Sequence, residues 1–479
     1  MIEFVTHNMA PLMFAGLILF MLYGYPAAFS LAAVGLFFGF IGVELGLIQP
    51  DFLGNIVFQL ESVVRNDLLL AIPFFTLMGA ILERSGLAED LLEGFGQLFG
   101  GVRGGLSYAV ILVGAVLGAI TGTVAASVIA MGLISLPIML RYGYNVRHAT
   151  GVVAASGTIT QLIPPSLVLV ILADQLGKSV GDMYRGAMGA SVVQVLLFMA
   201  WVLLLSYLRP QDIPALPPEA RTLRGWALAK RVIHGMVPSL ALIFIVLGTI
   251  FMGLATATEA GAMGVMGAFV LAWFNGRLSR ALVYHGMETT MRITAMVIFI
   301  LIGARVFSLV FQGVGGKEWI ESFLVALPGG QVGFLVFVNL FVFIIAFFLD
   351  FFEIAFIIVP LLAPAAEALG INLIWFGVLL GANMQTSFMH PPFGFALFYL
   401  RGIAPPEVKS SDIYWGAIPW VVLQVMLVAI LILWPELVTA FLDADFVVDP
   451  NFEMIVPGNE GGDLSGPPAM DFSQPPAMD

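Results

Sequence analysis

The sequence predicts an all-α polytopic membrane protein, an inverted-repeat secondary transporter with two re-entrant hairpins and two broken transmembrane helices. Its 479 residues are 60% hydrophobic and only 10% charged, whereas soluble domains carry roughly 25% charged residues. Two apolar runs of membrane-spanning length are each interrupted by a proline pair, Pro164-Pro165 and Pro391-Pro392. Proline removes a backbone donor and clashes with the preceding turn, so each pair is expected to break its helix at membrane depth.

The two interruptions occupy matching positions in the two halves of the chain. The proline pairs are 227 residues apart, and the same offset pairs Asn145 with Asn372 and Gly143 with Gly370. Interrupted apolar segments at corresponding places in two halves are typical of carriers whose binding site lies where the repeats meet. We therefore predict a binding site between the two broken helices.

The first repeat is predicted to cover residues 1–208. After a helical hairpin and amphipathic segments, it contains a run at about 104–141 that is bracketed by arginines and interrupted by Thr121-Gly122-Thr123. Basic residues at both ends indicate that both ends lie on the same side of the membrane. We therefore predict a re-entrant hairpin with its tip at these three residues, followed by the broken helix at about 150–173.

The second repeat, residues 236–441, follows a basic, proline-rich cytoplasmic linker at 209–235. Its re-entrant hairpin is predicted at about 332–364, with Asp350 near the middle, and its broken helix at about 373–399. The tail at 442–479 holds six Asp, two Glu and neither Lys nor Arg. This composition is typical of a disordered segment.

Basic residues also predict the orientation, because Lys and Arg in short loops remain cytoplasmic. The clusters at 209–231 and 277–292 are accordingly placed inside the cell. The first hairpin then enters the membrane from the cytoplasm and the second from the outside, with the acidic tail in the periplasm. The two halves are therefore expected to be inverted relative to each other.

Small polar residues lie just before each break. Hydroxyl, amide and freed carbonyl oxygens bind hard cations such as sodium without needing a charged side chain. The alternative is that these residues only bond back to the backbone of a kinked helix, but their repetition at the offset of 227 favours ion sites. Together with the two hairpin tips, the sodium candidates are Thr121, Gly122, Thr123, Ser156, Gly157, Thr158, Thr160, Asp350, Asn383, Gln385 and Ser387.

Three ionisable residues, Arg305, Asp350 and Glu353, lie at predicted membrane depth. Such residues are expensive in lipid unless they face water or a partner. Arg305 is a candidate to hold a substrate carboxylate through its planar fork. Its alternatives are an ion pair with Asp350 or Glu353, or snorkelling to the interface. The substrate-binding candidates are Arg305, Asp350 and Thr123, the residue matched to Asp350 at the offset of 227.

Several classes of function lack support in the sequence. The chain has no cysteine, which excludes disulfides, thiolate metal sites and cysteine nucleophiles. It has no HExxH, GxSxG, Walker or GxGxxG motif in a fitting context, so nucleotide-driven transport and most membrane-embedded hydrolysis are unsupported. We predict that the chain is not an enzyme, uses no cofactor or metal beyond sodium as a coupling ion, and has the lipid bilayer but no nucleic acid as a partner.

From Ala15 to Leu437 the chain resembles the large membrane subunit of the tripartite ATP-independent periplasmic (TRAP) transporters, the DctM-like family. The segments that carry this resemblance are AIPFFTLMGAILERSG (71–86), GGVRGGLSYAVILVGAVLGAITGT (100–123), SGTITQLIPPS (156–166), TATEAGA (256–262) and FLDFFEIAFIIVPLLAPAAEALGIN (348–372).

The resemblance implies a sodium-driven elevator mechanism, a small four-helix membrane subunit and a periplasmic binding protein that delivers an organic acid. It also implies the inner membrane of a bacterial or archaeal cell. The expected function is sodium-coupled import of a carboxylated small molecule, with this chain as the large permease subunit. The alternatives are a stand-alone sodium- or proton-coupled carboxylate carrier of related fold or, in other classes, a channel or an intramembrane enzyme.

Overall fold

The structure, a computed structural model, describes residues 2–121 and 123–442, which fold as helices joined by turns. In these residues eight helices are long and apolar enough to cross a membrane, or up to ten if each of two bent pairs is one span. Helices are expected because backbone groups in lipid must find their hydrogen-bond partners within the segment. The predicted all-α polytopic fold is confirmed, whereas the predicted disordered tail and the tip residue Gly122 lie outside the described residues.

The helices of the first half surround one hairpin and one broken helix. Helices α7 and α8 pack against each other as the predicted hairpin, and the break separates α9 from α10. The helices are α1 (Ile2–His7), α2 (Met9–Leu22), α3 (Ala27–Glu44), α4 (Asn55–Val64), α5 (Ala71–Glu83), α6 (Leu87–Phe99), α7 (Gly105–Thr121), α8 (Val124–Arg141), α9 (Val146–Thr158), α10 (Leu167–Gln175) and α11 (Val180–Leu208).

The second half follows the same plan. A π-helical stretch at Ile354–Ile358 joins α17 to α18, so the second arm of the hairpin is one helical run. The helices are α12 (Gly225–Phe251), α13 (Ala257–Phe274), α14 (Arg280–Gly313), α15 (Gly316–Val325), α16 (Gly330–Ile345), α17 (Phe351–Glu353), α18 (Val359–Ala368), α19 (Leu373–Met384), α20 (Phe395–Ile403), α21 (Ser410–Leu433) and α22 (Glu436–Thr439).

The connection between the halves is shorter than the predicted linker at 209–235. Helix α12 already begins at Gly225 and includes Arg231 in its second turn. Arg231 is held there by two carboxylates of α6, with N–O distances of 2.9 Å to Asp90 and 2.6 Å to Glu93. These pairs stabilise a helical start that composition alone suggests is a loop.

Equivalent positions at the offset of 227 adopt the same local structure. Asn145 and Asn372 are the N-caps of α9 and α19, and each side-chain oxygen accepts two backbone N–H groups of the first turn. Gly143 and Gly370 precede them with φ of +79° and +70°, a backbone conformation that favours glycine. Both proline pairs contain a cis peptide bond. The repeat is therefore present in the fold, while the inverted orientation of the halves in the membrane stays a prediction.

The two halves cross over at the broken helices. Helix α21 of the second half packs along α9 of the first, and α11 of the first half packs along α19 of the second. Each broken helix therefore contacts the last long helix of the other half. This arrangement buries both breaks in the protein, where irregular backbone at membrane depth is tolerated.

Candidate functional site

The first break leaves the α-helical conformation at Thr158. A 3₁₀ turn at Ile159–Gln161 follows α9, and α10 starts only after the proline pair, with Ser166 as its N-cap. Ser156, Thr158 and Thr160 are fully buried. The hydroxyls of Thr158 and Thr160 donate back to carbonyls three residues earlier, at 2.9 and 3.0 Å, as the alternative to ion binding predicted.

Ser156 differs from these threonines because its hydroxyl has no hydrogen-bond partner among the described residues. The first hairpin packs very closely here. A Cβ atom at Gly114 of α7 would lie 2.7 Å from the carbonyl oxygen of Ser156, and one at Gly118 would lie 2.9 Å from the Cα of Thr160. Gly157 is buried beside them. The polar face of the first break therefore lies directly against the first hairpin, as predicted.

The second break begins at Gln385, where α19 gives way to a 3₁₀ turn at Gln385–Phe388. The amide of Asn383 donates to the backbone oxygen and the side-chain oxygen of Asn339 on α16, at 2.7 and 3.0 Å. The Ser387 hydroxyl donates to the Met384 carbonyl at 2.7 Å. This break too lies against the hairpin of its own half.

Asp350 caps the second arm of the second hairpin. Its carboxylate accepts the backbone N–H of Glu353 at 2.9 Å, and the Glu353 carboxylate accepts the N–H of Asp350 at 3.1 Å. This reciprocal capping box satisfies two N–H groups that a helix start leaves without partners. The two acidic side chains predicted at membrane depth are therefore used to shape the tip.

The two hairpin tips meet at one cavity of about 260 Å³. Of the described residues that line it, only Asp350 and Tyr399 are ionisable, and none is Lys, Arg or His. The amide oxygen of Gln161 is buried beside the cavity without a hydrogen-bond partner. The lining residues are Thr123, Val124, Ala125, Gln161, Leu167, Val168, Ile293, Met296, Asp350, Phe351, Phe352, Phe388, Phe395 and Tyr399.

Four helices begin at this cavity. Val124 and Leu167 are the first residues of α8 and α10, and Phe351 and Phe395 are the first residues of α17 and α20. The first N–H groups of a helix have no partner within it, and its N-terminal end carries partial positive charge. The cavity therefore offers backbone donors from both halves in surroundings without a basic side chain.

The structure does not bring every candidate to this cavity. Arg305 lies within α14 but is not among the residues that line it. Its Nε atom is buried without a hydrogen-bond partner. None of the ion pairs among the described residues joins it to Asp350 or Glu353. Of the first tip, Thr123 lines the cavity, and the side chain of Thr121 lies outside the description.

Sequence reasoning missed several residues of the site. Gln161, Phe388 and Tyr399 line the cavity although no pattern singled them out. Gln161 and Phe388 end the two 3₁₀ turns and are themselves 227 residues apart. Their position at the ends of matched breaks is the signal that would have indicated them.

Comparison with known proteins gives consistent relatives. The family described as tripartite ATP-independent periplasmic transporter, DctM component, matches residues 14–437. The C4-dicarboxylate TRAP transporter large permease of Pseudomonas aeruginosa is 30% identical over 393 residues, or 81% of this chain and 88% of the relative. The ectoine TRAP large permease of Halomonas elongata is 26% identical, covering 91% of this chain and all of the relative. The sialic acid TRAP large permease of Vibrio cholerae is 25% identical, covering 86% and 93%.

A solved structure supports the fold. The crystal structure of the Alcanivorax borkumensis YdaH transporter aligns with a TM-score of 0.58 at 15% identity, over 80% of this chain and 87% of that one. At this identity the likeness concerns the fold alone.

The relatives are named as transporter permeases and not as enzymes. The matches identify a multi-pass permease of the bacterial inner membrane that works with a small membrane subunit and a periplasmic binding protein. The chain belongs to the DctM component family of the tripartite ATP-independent periplasmic transporters.

Proposed function

We propose that this chain is the permease for sodium-coupled import of a carboxylated small molecule handed over by a periplasmic binding protein. The observation that carries the proposal is the convergence of four helix starts from both halves on one cavity between the hairpin tips. Helix N-termini bind anions through their free N–H groups and partial positive charge. A carboxylate is the anionic group that such a cavity suits without a basic side chain.

The size and lining of the cavity favour a compact substrate. Its volume of about 260 Å³ is near the lower end of ligand pockets, which run from roughly 300 to 1,000 Å³. Phe352, Phe388 and Phe395 supply apolar surface for a carbon skeleton. The relatives' substrates differ from one another, so we infer the carboxylate from the cavity's chemistry.

Sodium ions complete the charge balance of this proposal. An incoming anion would lie near Asp350, and cations beside the tips would reduce that repulsion. Carbonyl oxygens freed by the breaks and the unpartnered Ser156 hydroxyl are neutral ligands of the kind sodium accepts. Such ligands release the ion readily, as transport requires. Cells with a negative interior also favour cation entry, at about 2.3 kcal/mol per charge per 100 mV.

We propose that access alternates by an elevator movement of the unit formed by the two hairpins and the two broken helices. The cross-packing of α9 with α21 and of α19 with α11 would let this unit move as one body. Family membership favours the three-part system over a stand-alone carrier.

A proline substitution tests the backbone donors. Val124 is the first residue of α8, where proline is tolerated because this N–H has no helical partner. The preceding Thr123 has φ of −128° and ψ of 132°, which suits a residue before proline. Val124→Pro should therefore remove one donor from the cavity and leave α8 intact. We expect it to raise the concentration of carboxylate needed for half-maximal uptake by about two- to tenfold, the worth of one hydrogen bond.

The matched control is Val146→Pro at the first position of α9, which also follows an extended N-cap residue and does not line the cavity. Uptake of a panel of labelled mono- and dicarboxylates is measured in cells that express the chain with its small subunit and binding protein. Equal affinities for the two proline variants would contradict the assignment of the cavity. Uptake of uncharged compounds in preference to every carboxylate would contradict the substrate class.

A further inference from the structure

Two buried glutamines occupy matching positions in the last long helix of each half. Gln194 lies on α11 and Gln424 on α21, 230 residues apart, which is also the distance between the first residues of these helices. Both side chains are fully buried in apolar spans. An amide in such a place is costly unless it is hydrogen-bonded, so its partner deserves identification.

Each glutamine bonds to the break of the other half. The Gln424 amide donates to the Thr158 hydroxyl oxygen at 2.9 Å, and the Gln194 amide donates to the Gln385 side-chain oxygen at 2.6 Å. Thr158 and Gln385 are matched at the offset of 227. The chain therefore makes the same connection twice, once in each direction across the halves.

Helix α11 is bonded to both breaks at once. Its Ser191 hydroxyl donates to the Leu162 carbonyl at 2.8 Å, and its Tyr184 hydroxyl donates to the Ser166 carbonyl at 3.3 Å, both in the first break. Its Gln194 reaches the second break. A buried helix with hydrogen bonds to two sites is a continuous physical connection of the kind that carries coupling energy.

Helix α21 makes the complementary connection. Its Leu431 carbonyl accepts the indole N–H of Trp375, on the broken helix of its own half, at 2.9 Å. Its Gln424 holds Thr158, the last residue of α9, whose hydroxyl also donates to the Ala155 carbonyl. The Thr158 hydroxyl is thus oriented by two partners, one from each half.

We propose that Gln194 and Gln424 are positioning residues that hold each break in register with the opposite half and thereby couple ion binding at the two breaks. The inference rests on the proposed sodium-coupled function. It also revises the role of two sodium candidates, because the side chains of Thr158 and Gln385 act as anchors for these connections. The ion would then be held by neighbouring carbonyl and hydroxyl oxygens.

The test uses the chain purified with its small membrane subunit, and sodium chloride as the only ligand, with potassium chloride replacing it at constant ionic strength. A ligand that binds the folded state raises the unfolding temperature in proportion to its occupancy. Gln194→Met and Gln424→Met keep an unbranched side chain of similar length and remove the amide. Each should raise the sodium concentration for half-maximal stabilisation about two- to tenfold, the worth of one buried hydrogen bond, and make the titration less steep.

Two further comparisons isolate the hydrogen bond itself. Thr158→Ser keeps the hydroxyl and should behave as the wild type, whereas Thr158→Val should reproduce Gln424→Met. The double variant of Thr158→Val with Gln424→Met should be no worse than either single variant, since all remove one bond. The control Asn275→Ala removes another amide connection between the halves, the 3.1 Å bond to the Ser85 carbonyl, and should leave the titration unchanged.

Hydrogen exchange in the absence of sodium gives a second reading. Gln194→Met should speed exchange at residues 383–392 and Gln424→Met at residues 156–166, each in the half that does not carry the substitution. Wild-type exchange in both variants, or equal titrations for Thr158→Ser and Thr158→Val, would overturn the proposal. A wild-type protein that sodium stabilises no better than potassium would contradict the proposed function instead, and the exchange experiment would still decide the role of the glutamines.

Discussion

The two breaks have the same backbone plan but are fixed to their hairpins by different forces. In the first half, Gly114 lets α7 approach the Ser156 carbonyl so closely that a Cβ atom would lie 2.7 Å from its oxygen. In the second half, Asn383 is fixed to Asn339 by two hydrogen bonds. Close packing therefore replaces hydrogen bonding at equivalent places of one fold.

This difference assigns different roles to matched residues. Ser156 and Asn383 correspond at the offset of 227, yet the Ser156 hydroxyl has no partner while the Asn383 amide donates twice. A polar side chain without a partner is available to an ion, whereas one that is fully used supports structure. We therefore expect the first break to respond to side-chain removal mainly in ion binding, and the second mainly in stability.

Asn383→Leu should have the largest effect on stability. It leaves two buried oxygens of Asn339 without their donor, and each unpaired group costs about 1–3 kcal/mol. Thermal unfolding of the purified protein measures the loss. Gln331→Leu, which removes an exposed bond to the Leu369 carbonyl at the base of the same hairpin, is the control. Comparable unfolding temperatures for the two variants would show that the asparagine pair does not hold the second break.

Gly114→Ala should have the next largest effect, because the added methyl group meets backbone that cannot rotate away. Overpacking of this kind costs about 1–3 kcal/mol. We expect a lower unfolding temperature and weaker sodium stabilisation. At Gly248 of α12 an added Cβ would meet its nearest neighbour at 3.8 Å, so Gly248→Ala should be tolerated. If Gly114→Ala is tolerated equally well, close packing does not fix the first break.

Ser156→Ala should change stability least, within about 0.5 kcal/mol, because no protein hydrogen bond is lost. It should nevertheless raise the sodium concentration for half-maximal stabilisation by about twofold or more, as expected for one lost oxygen ligand. Ser135→Ala is the matched control, since Ser135 is also buried on α8 with an unpartnered hydroxyl. Identical sodium titrations for these two variants would remove Ser156 from the ion site.

Local chemistry explains how much of this was predictable. The proline pairs, the matched Asn145 and Asn372 caps and the 227-residue offset are properties of short segments, and they predicted the breaks and hairpins. The cavity lining is not local, because Phe388 and Tyr399 reach it only through the packing of several helices. Arg305 shows the same limit, since its position in an apolar span did not reveal which way α14 turns it.

The crossed glutamine bonds show what sequence reasoning passed over. Gln194 and Gln385 are 191 residues apart, and Gln424 and Thr158 are 266 apart, so no short-range rule connects them. Single amides in two apolar spans at a constant offset were nevertheless visible. A buried polar residue that recurs at equivalent places predicts a partner even where the partner cannot be named.

The central claim is that sodium bound at the two breaks drives uptake. The most direct measurement uses proteoliposomes that contain the chain and its small subunit, supplied with binding protein loaded with the carboxylate identified by the uptake panel. A negative interior opposes anion entry by about 2.3 kcal/mol per charge per 100 mV, so two or more sodium ions per monoanion are needed to reverse the sign. We predict that uptake requires an inward sodium gradient and becomes faster when the interior is made negative. Equally fast uptake on a proton gradient without sodium would contradict the account.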